Sequence, residues 1–143
     1  MTRATVLACL LLLWGCSPAK PDAPGQRYIV QLSAPPLVSY AGGVADLAPT
    51  SPQATGAKGV DPDSPASRAY TEYLKGQQAQ LLAAVSETLG RPVNPEYAYY
   101  YALDGVVLRL TAAEATRIVK LPGVTSVRAD LASLPLASEL PRN

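Results

Sequence analysis

Apolar and polar residues alternate over residues 27–33, RYIVQLS, with Tyr28, Val30 and Leu32 on one face and Ile29 on the other. A period of two in β-branched and aromatic residues predicts a strand, and Pro35-Pro36 ends it. No period survives across residues 34–64, where proline or glycine stands at positions 35, 36, 42, 43, 49, 52, 56, 59 and 62. This stretch is expected to be a surface insertion; each doubling of such a loop adds only about 0.6 kcal/mol of closure entropy. The period then changes to that of a helix in ASRAYTEYLKGQQAQLLAAVSETL, where Tyr70, Leu74, Gln77 or Gln78, Leu81, Val85 and Leu89 recur at three and four. Asp63 or Ser64 caps its start with Pro65 just inside. Gly90 and Pro92 end it.

The second half is denser. Residues 96–103, EYAYYYAL, alternate Tyr97, Tyr99 and Tyr101 against Ala98, Tyr100 and Ala102, which predicts a second strand. Asp104-Gly105 fits a two-residue hairpin turn, and VVLRL at 106–110 returns as a third strand. Thr111 and Glu114 form the Thr-x-x-Glu capping box. It opens a short helix over about 112–120 with Ala115, Ile118 and Val119 turned inward. Pro122-Gly123 breaks that helix, and VTSVRA at 124–129 is the last strand.

The resulting order is β-α-β-β-α-β. Four strands cannot bury a face without cover, so the expected fold is α+β: a ferredoxin-like sandwich with a four-stranded antiparallel sheet and two helices on one face. The folded unit is residues 26–130, with the insertion 34–64 and a tail at 131–143. Two prolines and no amphipathic period in DLASLPLASELPRN predict an extended tail.

The amino-terminal pattern differs again. Arg3 precedes an apolar run, Ala4 to Trp14, too short for a transmembrane helix but suited to an export signal. Leu13-Trp14-Gly15-Cys16 resembles a bacterial lipobox, with Trp14 departing from the usual residue at its position. The resemblance implies a signal peptide at 1–15, a lipid on Cys16 and a Pro-rich tether at 16–25. The other reading is a secretory signal cut a few residues later. The expected location is therefore the cell envelope, by a lipid anchor alone, or the exterior. With Arg3 removed, Lys and Arg fall from 12 to 11, equal to the 11 Asp and Glu.

Composition narrows the chemistry. There is no histidine or phenylalanine, and Leu, Val, Ile and eight Tyr must fill the core. Without histidine no Ser or Thr has its usual base, so no catalytic residue is assigned and no enzyme activity is expected. Cys and His ligands are missing from the folded unit, so neither a metal nor another cofactor is expected. A balanced charge without Lys/Arg runs argues against nucleic acid as a partner. Asp104 and Glu114 are explained as turn and cap.

The chain resembles the inhibitor I9 family, the propeptide domain of subtilisin-type serine proteases. YIVQL matches the family's first strand and SRAYTEYL the start of its long helix. YYYALDGVVLRLTAAEATRIVKLPGVTSV matches its second half: aromatic strand, turn at Asp104-Gly105, Leu110-Thr111 cap, and the Leu121-Pro122-Gly123-Val124 step. The resemblance spans about residues 27–136 apart from the insertion. It implies that the open sheet face docks on a subtilase while the segment after the last strand lies in the cleft as a product-like ribbon. Ser133, Leu134, Pro135 and Leu136 would occupy the four subsites, with Pro135 holding Leu134 extended. Tyr100 is expected to face outward in the docking surface. Asp130 would cap helix N-termini on the protease, although Arg128 and Ala129 stand where the family often has acids. The expected partner is a subtilisin-family protease, inhibited in trans, or in cis with help to its folding if the chain leads a precursor. The ending at Asn143 favours the free-standing inhibitor. The competing reading is an exported lipoprotein that contacts some other envelope protein.

Overall fold

The computed structural model describes residues 25–130. Four strands are present among them: β1 Gln26–Leu32, β2 Tyr97–Tyr99, β3 Gly105–Leu110 and β4 Val124–Ala129. They form one sheet in the order β2-β3-β1-β4, with every neighbouring pair antiparallel. The helices are α1 Pro52–Thr55, α2 Pro65–Leu89 and α3 Ala112–Ile118. The α+β class and the four-stranded antiparallel sheet are as expected.

Local signals set the ends of α2. The Ser64 hydroxyl accepts from the Ser67 N–H at 3.2 Å, so Ser64 rather than Asp63 is the cap, with Pro65 following. At the other end Gly90 adopts φ 67°, and the N–H groups of Gly90 and Arg91 return to the carbonyls of Glu87 and Ser86. These two bonds make a Schellman motif, satisfying carbonyls that the helix leaves open. Helix α3 begins on the expected capping box, Thr111 and Glu114 bonding each other's backbone N–H.

The main core lies between one sheet face and the two longer helices. Val30 and Leu32 of β1 and Val106, Leu108 and Leu110 of β3 meet Leu81 and Val85 of α2 and Ala115 and Ile118 of α3. Fully burying a side chain of this size contributes about 1.5–3 kcal/mol. The expected stripe on α2 is buried from Tyr70 to Val85, and the structure selects Gln78 over Gln77. Val119 departs from expectation: α3 ends at Ile118, and Val119 is 42% exposed. Val119 is the C-cap residue, so it stands at the open end of the stripe that Ala115 and Ile118 share.

The segment between β1 and α2 is organised more than its composition suggests. Leu37 and Tyr40 form a second core with Tyr70 and Leu74 of α2. The rings of Tyr40 and Tyr70 stack with centroids 3.6 Å apart and planes 9° apart. The Tyr70 hydroxyl donates to the Pro35 carbonyl at 2.7 Å, and the Thr50 hydroxyl donates to the Leu37 carbonyl at 2.7 Å. The insertion is therefore a pinned layer over the first half of α2.

The hairpin between β2 and β3 also differs from expectation. Strand β2 stops at Tyr99, so the connection is residues 100–104 and Gly105 already belongs to β3. Beyond Tyr99 the carbonyls of Tyr100 and Tyr101 accept from the N–H groups of Leu37 and Val38 at 2.9 and 3.1 Å. The chain exchanges its partner on β3 for the insertion, which shortens the strand. Gly105 is needed for closeness rather than for a turn: a Cβ there would lie 2.7 Å from the Val30 carbonyl oxygen. Overpacking of this kind costs about 1–3 kcal/mol, so Gly105→Ala should lower stability by that amount in urea unfolding. An unchanged midpoint would show that β1 and β3 can separate to admit the methyl.

Candidate functional site

The helices cover one side of the sheet. The alternation that sends Val30, Val106 and Leu108 into the core places the intervening residues on the other side. Register aligns Tyr97 of β2, Val107 of β3, Ile29 of β1 and Arg128 of β4 in one row across that face. A second row runs through Tyr99, Gly105, Gln31 and Ser126. Val107 is fully buried between its cross-strand neighbours, whereas Tyr97 is 57% exposed. The face thus offers an aromatic border on β2, a short apolar centre and a polar border on β4.

Charged groups concentrate at one end of this face. Glu96, just before β2, meets the guanidinium of Arg27 at 3.1 Å and that of Arg109 at 2.5 Å. Arg27 also reaches the carboxylate of Asp130 at 3.3 Å and lies over the Tyr97 ring, 5.3 Å from its centroid. The backbone N–H of Asp130 donates to the Arg27 carbonyl at 2.8 Å. Four elements of sequence, at residues 27, 96, 109 and 130, are tied together here. At the β4 border Arg128 and Ser126 both donate to the side-chain oxygen of Gln31.

The expected docking residues fall differently. Tyr100 does not face outward; it is half-buried against the second core, beside Leu37 and Tyr70. The exposed tyrosines are Tyr97, Tyr99 and Tyr101. The alternation in EYAYYYAL left the choice of face open, and the two backbone bonds from Leu37 and Val38 decide it. Asp130 lies at the end of the sheet, but its carboxylate is already held by Arg27 and only 13% of the side chain is exposed. Arg27, Glu96 and Arg109 were missed by pattern reasoning. Arginines at alternate-strand positions 27 and 109 with an acid before the aromatic strand were the available signal. Cys16, Ser133, Leu134, Pro135 and Leu136 lie outside the described residues.

Glu114 does more than cap its helix. Arg91 donates to both of its carboxylate oxygens, at 2.9 and 3.0 Å. That guanidinium, followed by the backbone bond at Thr111, holds the Glu114 carboxyl below its ordinary range. Among the described residues no group of three His, Cys, Asp or Glu side chains could hold a metal, and no helix is long and apolar enough to cross a membrane.

Glu96 bridges two arginines in a partly shielded setting, so Glu96→Gln should cost about 1 kcal/mol. The loss should shrink at about 1 M salt, where charges are screened beyond about 3 Å; urea titrations at low and high salt measure it. No family model, no curated protein and no solved structure matches this chain.

Proposed function

We propose that this chain is a ferredoxin-like, subtilisin-propeptide-type inhibitor that docks on a subtilisin-family serine protease through its uncovered sheet face. The segment after β4, with Ser133, Leu134, Pro135 and Leu136, would enter the substrate cleft. The observation that carries this reading is a sheet with one face free of helices among the described residues, whose last strand is followed in sequence by that segment. The strand order β2-β3-β1-β4, with helices crossing between β1 and β2 and between β3 and β4, supports the ferredoxin-like assignment.

The exposed face suits a protein partner better than a small ligand. Tyr97 and Tyr99 present rigid amphipathic surface at small entropic cost, and aromatic side chains are enriched where proteins meet. Arg27 and Arg109 are balanced by Glu96 and Asp130 at the end of this face, so docking need not strand an isolated charge. An extended ribbon gives affinity through main-chain pairing, and its alternate side chains give selectivity. In a precursor the same docking would act in cis and assist folding of the protease. Export through residues 1–15 and a lipid on Cys16 would put the inhibitor at the cell envelope.

Titration of a subtilisin-type protease with the chain from Gln26 to Asn143 tests the proposal. Competitive inhibition is expected, and a version ending at Asp130 should be at least about tenfold weaker, a loss of about 1.4 kcal/mol. Replacing both Tyr97 and Tyr99 by Ala should weaken the shorter version as well. Full protease activity at every ratio, with no complex formed on a catalytically dead enzyme, would leave an envelope-protein binding module as the reading.

A further inference from the structure

The hairpin tip holds a carboxyl group that the sheet face does not use. Asp104 is 1% exposed. Its Oδ1 accepts from the Gln78 side-chain amide at 2.8 Å, while Oδ2 has no hydrogen-bond partner among the described residues. The same Gln78 amide lies 3.0 Å from the Tyr99 carbonyl oxygen and 3.4 Å from that of Gly105. The Asp104 carbonyl accepts from the Leu32 N–H at 2.9 Å, which joins the tip to the end of β1. Next along the tip, the carbonyls of Tyr100 and Tyr101 hold Leu37 and Val38 of the insertion.

Among the described residues nothing cationic balances this carboxyl. The titratable group facing it from α2 is Tyr70, whose hydroxyl is pushed above the usual tyrosine range by burial first and then by Tyr40, Asp104 and Tyr73. Tyr70 is thus neutral, and Gln78 carries no charge. From β1 and β3 come the main-chain groups of Leu32 and Gly105. Asp104 makes no ion pair among the described residues. An ionised carboxylate here gives up water and receives one side-chain hydrogen bond in return, a poor exchange in a low-dielectric setting.

We propose that Asp104 is a pH-operated latch: neutral in mildly acid medium, it locks the tip 100–104 to α2 and β1, and ionised at neutral pH it loosens the tip and the insertion hung from it. Burial pushes its carboxyl up to about 6, and the hydrogen bond from Gln78 offsets only part of that push. The folded form therefore holds its proton more tightly than the unfolded chain does. The stabilisation is complete below the ordinary carboxylate value of about 4, fades as pH rises through about 6, and is gone above it. Acid tightens this region and neutrality relaxes it. The step moves one proton, between solvent and the Asp104 carboxylate, with no other reactant. It is a property of the fold and stands whether or not the chain binds a protease.

Hydrogen exchange on the full chain reads the latch at the amides of Leu37 and Val38. After correction for intrinsic exchange, their protection should fall by up to about tenfold between about pH 5 and about pH 7.5. Asp104→Asn, a permanently neutral stand-in, should remove that dependence. The same pH dependence in Asp104→Asn as in the parent, or no dependence in the parent, would overturn the proposal. Should the variant not fold, carbon NMR of the Asp104 carboxyl in the parent chain decides. A midpoint near 6 supports the latch, and one below about 4.5 refutes it.

Discussion

The buried amide of Gln78 is the contact on which this architecture turns. From one position on α2 it reaches the last carbonyl of β2, the carboxyl of Asp104 and the first carbonyl of β3. Those groups sit where the hairpin leaves the sheet, and the Gln78 amide brings a hydrogen-bond donor to the buried Asp104 carboxyl there. The long helix thereby fixes the height of the hairpin as well as covering its base. Gly105 belongs to the same junction: with no Cβ it lets β3 lie against the Val30 carbonyl, bringing its own carbonyl within reach of Gln78. A helix position filled by an apolar residue would supply packing but leave the Asp104 carboxyl without its donor.

Two cores hang from α2, and their division of labour explains how the sheet can keep a bare face. The first, between sheet and helices, is built mainly from Val, Leu and Ile of β1, β3, α2 and α3. The second, between the insertion and the first half of α2, is built from Tyr40, Tyr70, Leu37 and Leu74. Tyrosines suit that place because each hydroxyl can meet a carbonyl at the edge of the cluster, as Tyr70 does at Pro35. The insertion is thus occupied with α2 and the hairpin tip, and β1, β3 and β4 place half-buried Ile29 and exposed Arg109 and Arg128 on the other side.

Much of this was legible in the chain because local chemistry and burial agree. Ser64, Pro65 and Gly90 bound α2 by their own hydrogen-bonding and φ preferences, and Thr111 with Glu114 do the same for α3. Strands β1 and β4 fall where their alternation places them. The misread parts are those that long-range contacts decide. Tyr100 sits at an alternation that either face satisfies, and Leu37 and Val38, more than sixty residues earlier, settle its direction. Asp104-Gly105 carries turn chemistry, yet Gln78 draws the aspartate inward and the sheet needs the glycine for clearance. The arginines at 27 and 109 are unremarkable in sequence and become a cluster only once β1 and β3 are in register with Glu96 beside them.

The bond from Asp130 N–H to the Arg27 carbonyl, reinforced by their side-chain pair at 3.3 Å, has a geometric corollary. Entry to and exit from the folded unit lie side by side at one pole, while the insertion and hairpin tip lie at the other, where Leu32 meets Asp104. A unit with adjacent ends can be spliced into a host's surface loop, or reconnected through a new opening, without stretching its own backbone.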